Sequence, residues 1–258
     1  MPSPSRPHWS TIEVGGHACE LFSPPDPRPS RAVVFLHGVD GRRLEELPSL
    51  RDLVEAARIP VVGPRAGRSW WLDRIVPAFD AAVSPERFLV DAVRAEIERT
   101  FDVRPPGIAL VGVGMGGQGA LRLAYRHPAV FPVAAAIAPA IDFHQAMRDA
   151  PDRDDGDSYD TLWQIYGDVE RARQDTAILH VHPLNWPRHQ CFASDPADTD
   201  WHDGAARLHS KLVALGIPHL ALLEPRGGGH PVAFEERMAP DVMRFVLEAL
   251  DAESRRSA

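Results

Sequence analysis

Four short segments of the sequence carry the residue types that acyl-transfer chemistry uses. Residues 37–39 read His-Gly-Val, residues 112–117 read Gly-Val-Gly-Met-Gly-Gly, residues 195–200 contain three aspartates, and His230 follows three glycines. Histidine is the most common general base, a carboxylate can orient it, and glycines let backbone N–H groups approach a ligand closely. The set offers a base, an acid and amide donors for an oxyanion, but the glycine cluster contains no hydroxyl or thiol nucleophile.

These segments follow predicted strands. Residues 108–113 are apolar, the glycine cluster follows at once, and a small-residue pattern with helical spacing begins behind it. This order predicts a strand, a sharp turn and a helix. Residues 31–36 and 189–193 are further predicted strands, and helices alternate with strands, so we expect an α/β fold with a doubly wound, mostly parallel sheet. Ligands of such sheets bind at the carboxyl ends of the strands, where all four segments fall.

Length and composition narrow the class of protein. The chain has 258 residues, 44% of them hydrophobic and 25% charged, with a net charge of −8 and no basic block. We expect no nucleic-acid partner and no anionic membrane surface, because both call for clustered Lys and Arg. No apolar run reaches about 18 residues, so no membrane span is expected. With Cys19 and Cys191 alone, a reduced, cytoplasmic protein is the simpler interpretation. Oligomeric state stays open.

Breaker-rich stretches indicate the domain organisation. Residues 1–30 are predicted to form a tail and a short hairpin that turns at Gly15-Gly16. Residues 31–250 are the predicted α/β domain, with an insertion at about 142–188 that could hold a substrate cap. Residues 251–258 are predicted to be a tail.

Two sequence motifs resemble a known family. The stretch Gly-Val-Gly-Met-Gly-Gly-Gln-Gly-Ala-Leu at 112–121 resembles the G-x-S-M-G-G-x-G-A-L elbow of α/β-hydrolases of the esterase D and antigen 85 type. Residues 208–219, followed by Gly-Gly-His at 228–230, resemble the C-terminal part of the same group. The resemblance covers about residues 31–250 and implies an α/β-hydrolase fold with activity on small esters or thioesters. It implies no cofactor.

The resemblance also assigns roles to the polar residues. His230 matches the general base, which takes a proton from the nucleophile and returns it to the leaving group. Asp198 matches the acid that orients this base, since residues 194–198 align with the group's C-G-x-x-D; Asp195 is the second candidate and Asp200 the third.

The remaining assignments concern the oxyanion and the pocket wall. The backbone N–H groups of Val39 and Met115 match the oxyanion donors. The candidate substrate-binding residues are His37, Gly38, Trp70 and Trp71.

Gly114 is where the sequence departs from the family, because it occupies the position of the nucleophilic serine. Glycine has no nucleophilic atom, so no acyl-enzyme can form there. Three accounts follow: a pseudo-enzyme that binds ligand without turnover, an enzyme in which His230 activates a water beside Gly114, or an inactivated variant of a serine enzyme. The sequence leaves them open.

Two other functions fit parts of the sequence. Gly112, Gly114 and Gly117 satisfy the G-x-G-x-x-G pattern of dinucleotide-binding oxidoreductases. However, the next strand ends without the expected acidic residue, and this interpretation leaves His230 unexplained.

A metal site is the second alternative. His180 and His182 alternate, with His189 nearby, yet no carboxylates stand at metal-ligand spacing. We therefore expect no metal.

Overall fold

A computed structural model describes residues 8–27, 30–152, 156–224 and 231–257. Its eight strands form one sheet in the order β1-β2-β4-β3-β5-β6-β7-β8. β2 pairs antiparallel with β1 and β4, and the other pairs are parallel. The strands are β1 (His8–Val14), β2 (His17–Ser23), β3 (Ala32–Leu36), β4 (Val61–Pro64), β5 (Ile108–Val113), β6 (Val133–Ile137), β7 (His189–Ala193) and β8 (Leu220–Leu222). The predicted α/β fold is confirmed.

Helices cover both faces of the sheet, which explains why the central strands read as continuous apolar runs. On one face, Leu50 and Val54 of the helix Pro48–Ala57 and Phe234 of the helix Pro231–Ser257 share a core with alternate strand residues. On the other face, Leu121 of the helix Met115–Arg126 and Leu208 of the helix His202–Ala214 do the same. The helices are α1 (Pro48–Ala57), α2 (Pro85–Arg87), α3 (Arg94–Phe101), α4 (Met115–Arg126), α5 (Phe143–Asp149), α6 (Asp160–Tyr166), α7 (Val169–Arg173), α8 (His202–Ala214) and α9 (Pro231–Ser257), with a π-helical stretch (Phe88–Val93) between α2 and α3.

The ends of the chain extend this architecture. The hairpin at Gly15-Gly16 is confirmed, but its strands belong to the same sheet as the rest, because β2 pairs with β4. Helix α9 continues through 251–257, where the sequence suggests a tail. Its Glu253 is fully buried and binds Arg188 and His189 at the start of β7, which holds this last turn against the sheet.

The insertion is helical and is anchored to α4. α6 and α7 lie within the predicted insertion and are separated at Gly167, whose φ of +63° ends α6 in the left-handed region. α5 also belongs to this insertion. Asp175, at the end of the insertion's helices, binds Arg122 of α4 inside the protein. In the described ranges, no helix is both long and apolar enough to cross a membrane.

Candidate active site

A pocket of about 430 Å³ opens at the carboxyl ends of the central strands. The turn after β5, the loops after β3, β4, β6 and β7, the insertion and the start of α9 all contribute to its lining. Another cavity, about 420 Å³, lies at the opposite end of the sheet beside Pro105 and Pro106 and is lined by none of the predicted site residues. The pocket beside β5 is therefore the candidate active site.

Gly114 has the backbone geometry of a nucleophile elbow. It lies between β5 and α4 with φ +53° and ψ −117°. Its N–H donates to the Ile137 carbonyl at 3.0 Å, and its carbonyl accepts the Ala140 N–H at 3.0 Å, so β6 holds the turn. A Cβ added here would meet nothing closer than the Gly38 Cα at 4.0 Å. Gly114 therefore has the strained backbone of a nucleophile elbow, and the space beside it is open to a side chain.

The flanking glycines are fixed by packing. A Cβ on Gly112 would lie 2.1 Å from the Gly116 carbonyl oxygen, and one on Gly116 would lie 1.9 Å from the Leu36 carbonyl oxygen. These distances leave no room for a side chain, because the backbones of β3, β5 and α4 pack directly against each other here. The glycine pattern at 112–117 is thus explained by the elbow, with no need of a dinucleotide.

The two predicted oxyanion donors flank Gly114 in the pocket lining. Met115 is the first residue of α4, where the backbone N–H has no acceptor within the helix. Val39 lines the pocket from the loop after β3. The start of a helix favours developing negative charge, so this end of the pocket suits a carbonyl oxygen.

The aspartates after β7 differ in their surroundings. Asp198 lines the pocket and accepts the N–H groups of Asp200 and Trp201, both at 3.1 Å. Burial raises its pKa, with the neighbouring charges of Asp200 and Asp195 adding to the shift and these two hydrogen bonds opposing it. Asp195 is buried and accepts the Ala197 N–H at 2.9 Å, but it is not among the residues that line the pocket.

His37 supports the oxyanion loop from behind. Its ring is buried, its Nε2 accepts the Ala66 N–H at 3.2 Å, and its Nδ1 donates to the Gly38 carbonyl at 2.7 Å. Burial lowers its pKa, which favours the neutral imidazole that this arrangement requires. Both ring nitrogens are occupied, and His37 does not line the pocket.

Of the two neighbouring tryptophans, one lines the pocket and the other supports the oxyanion loop. Both residues are fully buried, with φ of +56° at Trp70 and +55° at Trp71. Trp70 lines the pocket beside Tyr159. Trp71 instead donates its indole N–H to the His37 carbonyl at 3.2 Å. Of the four predicted substrate-binding residues, Gly38 and Trp70 therefore line the pocket, while His37 and Trp71 hold the loop behind it.

Several pocket residues are ones that the sequence analysis missed. Arg42 bridges Asp40 at 2.5 Å and Glu235 at 2.7 Å, so it ties the oxyanion loop to α9. Burial raises the pKa of Glu235, against the lowering effect of Arg42. No sequence pattern links residues 42 and 235, because they lie almost a whole domain apart along the chain. Tyr159 and Trp201 also line the pocket.

His230 lies outside the described residues. Pro231, the next residue and the first of α9, lines the pocket. The histidines weighed as metal ligands face different partners: His180 binds Asp175 at 3.0 Å, and His189 binds Glu253 at 3.0 Å. In the part of the chain that the structure describes, no three potential ligands come together.

The elbow, the strand order and the pocket define an α/β-hydrolase. The chain belongs to the family described as "Putative esterase", whose model matches residues 21–212. This match and the fold confirm the resemblance to α/β-hydrolases of the esterase D and antigen 85 type. A search among curated proteins finds no match.

Solved structures of the same fold include three bacterial proteins. An S-formylglutathione hydrolase from Agrobacterium tumefaciens shares 17% identity, with a TM-score of 0.72 and 94% of each chain covered. FphF, a fluorophosphonate-binding serine hydrolase from Staphylococcus aureus, shares 12% identity, with a TM-score of 0.73 and coverage of 93% of this chain and 98% of its own. MPT51 (FbpC1) from Mycobacterium tuberculosis shares 15% identity, with a TM-score of 0.63 and coverage of 93% and 99%. At such low identity, these likenesses establish the fold alone.

Proposed function

We propose that this protein binds a small acyl ester or thioester in the pocket at residue 114 and forms no acyl-enzyme there. The observation that carries the proposal is glycine in an elbow with φ +53°, facing open space beside Gly38. An acyl-enzyme needs a nucleophilic atom at this turn. Family membership supports the ligand class, and the missing side chain supports a pseudo-enzyme.

The proposal gives each remaining part of the site a role. The N–H groups of Val39 and Met115 bind the ligand's carbonyl oxygen, which their positions in the pocket lining support. His230 is the base, and Asp198 is the acid that orients it, with Asp195 as the alternative. The support for Asp198 is that it lines the pocket.

The setting is also proposed. Cys19 and Cys191 are both buried and free, which supports a reducing, cytoplasmic compartment. The net charge of −8 supports the absence of a nucleic-acid partner.

Restoring the nucleophile tests this function. We expect Gly114→Ser to hydrolyse short p-nitrophenyl esters at least about 100-fold faster than the parent, because a serine would complete the base, acid and oxyanion donors. Gly114→Ala is the matched control, since it adds the same Cβ at the same φ without a hydroxyl. His230→Ala in the serine background should remove the gain.

Two other outcomes would change the interpretation of the site. A serine variant as inactive as the alanine variant would overturn the assignment of the site. Turnover by the parent that disappears in His230→Ala would instead support attack by a water beside Gly114.

A further inference from the structure

Trp70 carries a buried hydrogen-bond donor without a partner. The residue is fully buried, and within the described ranges its Nε1 atom has no hydrogen-bond partner. Three other indole N–H groups each donate to an oxygen, at 2.6 Å for Trp9, 3.2 Å for Trp71 and 3.1 Å for Trp163. A buried tryptophan usually satisfies its N–H, because an unpaired donor inside a protein is costly. The exception at Trp70 therefore needs an explanation.

The backbone at Trp70 is strained as well. Its φ is +56°, and that of the next residue, Trp71, is +55°. Bulky side chains rarely adopt this left-handed region, and such outliers concentrate at ligand-binding and active sites. Trp70 lines the pocket that Gly114 and Met115 also line. An unpaired donor and a strained backbone thus coincide at one residue of the pocket wall.

The surroundings of the Trp70 ring are aromatic. Phe143 of α5 lies 5.4 Å away and Tyr159 lies 5.9 Å away, measured between ring centroids. Phe143 is fully buried, and Tyr159 is another residue of the pocket lining. An ionised group would lose its hydration among these rings, whereas a neutral oxygen loses far less. The acceptor that suits the Trp70 N–H is therefore a neutral oxygen.

The elbow already provides for the ester carbonyl. In the proposed function, the Val39 and Met115 amides bind that oxygen. A plain alkyl chain offers the Trp70 N–H no acceptor, whereas an ether, hydroxyl or second carbonyl oxygen would satisfy it. The pocket thus has donors for two oxygens of one ligand.

We propose that Trp70 determines specificity, because its indole N–H donates a hydrogen bond to a second, neutral oxygen of the ligand. The ligand is then an ester or thioester with an ether, hydroxyl or carbonyl oxygen on its acyl part or its alcohol part. This inference rests on the proposed function, since it narrows the ligand class of the same site.

Two pairs of esters, each differing by one atom, test the donor. 2-Methoxyethyl acetate and butyl acetate differ in the alcohol part, and ethyl methoxyacetate and ethyl butyrate differ in the acyl part. Each ester is titrated into the ¹⁵N-labelled parent, and the indole N–H signals are followed by NMR. The Trp70 signal is assigned through its NOEs to the Phe143 ring, so this measurement needs no variant. We expect the ether of at least one pair to move the signal downfield, as a new hydrogen bond does, and its carbon isostere not to do so.

Matched variants show whether Trp70 is responsible for the preference. In Trp70→Phe, the affinity for the ether relative to its carbon isostere should fall about three- to tenfold, as expected for the loss of one neutral hydrogen bond. Comparing this ratio between proteins cancels the difference in hydration between the two esters. Trp9→Phe removes an indole that donates to Glu55 outside the pocket lining, so it should leave the ratio unchanged. Unfolding temperatures establish that both variants are folded.

The results distinguish this inference from the proposed function. If the esters bind but neither ether moves the Trp70 signal downfield, the indole N–H is not a donor to the ligand, and the proposed function stands. A ratio that Trp9→Phe lowers as much as Trp70→Phe would overturn the assignment to Trp70. If none of the four esters shifts the signals of the pocket-lining residues, both proposals are wrong.

Discussion

Helix α4 connects two regions of opposite character. At its first residue lies the pocket, where Gly114 leaves open space and the Met115 N–H has no acceptor within the helix. Two turns further on, Arg122 is almost completely buried and binds Glu86 and Asp175. Tyr166 and His180 also bind Asp175, while Arg126 and His127 bind Glu86. One region is a buried charge network, and the other opens into the pocket.

The carboxyl groups of the two regions differ accordingly. In the charge network around Arg122, partners overcome burial, so the pKa of Glu86 is lowered to about 2 and that of Asp175 is lowered as well. In the pocket, burial prevails, and the pKa values of Asp198 and Glu235 are raised. The carboxylates of the network each meet several cationic side chains, whereas Asp198 accepts two backbone N–H groups and Glu235 meets Arg42. The network thus fastens the insertion to α4, and the pocket lies at the other end of the same helix.

Breaking the network should have the largest effect on stability. Arg122→Met leaves Glu86 and Asp175 buried without their shared cation, so we expect a loss of about 3–5 kcal/mol in the free energy of unfolding. Denaturant titration measures it. Arg99→Met is the control, because Arg99 pairs with Glu96 at the surface and should matter much less. Equal losses for both variants would show that the network does not fasten the fold.

Low pH should have the second-largest effect on stability, because it protonates a carboxylate of the network. Glu86 has a pKa of about 2 in the folded protein against an ordinary value of 4.5. Its contribution to stability is fully present above the ordinary value and is lost as the pH falls through the folded value. We expect about 3 kcal/mol of the unfolding free energy to disappear over this interval. Unfolding curves at several pH values measure the slope, and Glu86→Gln should flatten it; an unchanged slope would contradict the role given to Glu86.

A side chain at the elbow should reduce stability less than Arg122→Met or low pH does. Gly114→Ala has room for its Cβ, so the cost is that of the positive φ alone, about 1–2 kcal/mol. Gly216→Ala serves for comparison, since Gly216 also has a positive φ, +67°, and open space, and is not among the residues that line the pocket. Similar thermal shifts in the two variants are expected. A much larger loss at Gly114 would mean that the space beside Gly38 is not available to a side chain.

The fold was predictable because its signals are local. The apolar run at β5 and the glycines behind it predict the strand, the elbow and α4 within a few residues. The same holds for the hairpin at Gly15-Gly16, where a turn separates two alternating strands. α5 gives a weaker local signal because it is only seven residues long.

The site was predictable only in part, because its side chains meet across the whole chain. Loop order identified Gly114, Val39 and Asp198 as neighbours in one pocket, and they line it. It could not show that His37 and Trp71 support the loop from behind, since that depends on how Trp71 packs on Gly119. Nor could it pair Arg42 with Glu235, a contact that only the packing of α9 creates.

Intact-protein mass spectrometry after exposure to a p-nitrophenyl ester tests the central claim most directly. We expect the parent and Gly114→Ala to keep their mass, and Gly114→Ser to gain a single acyl group that peptide mapping assigns to residue 114. An acyl group on the parent at a hydroxyl of the pocket lining, Thr199 or Tyr159, or no acyl group on the serine variant, would contradict an α/β-hydrolase site that lacks only its nucleophile.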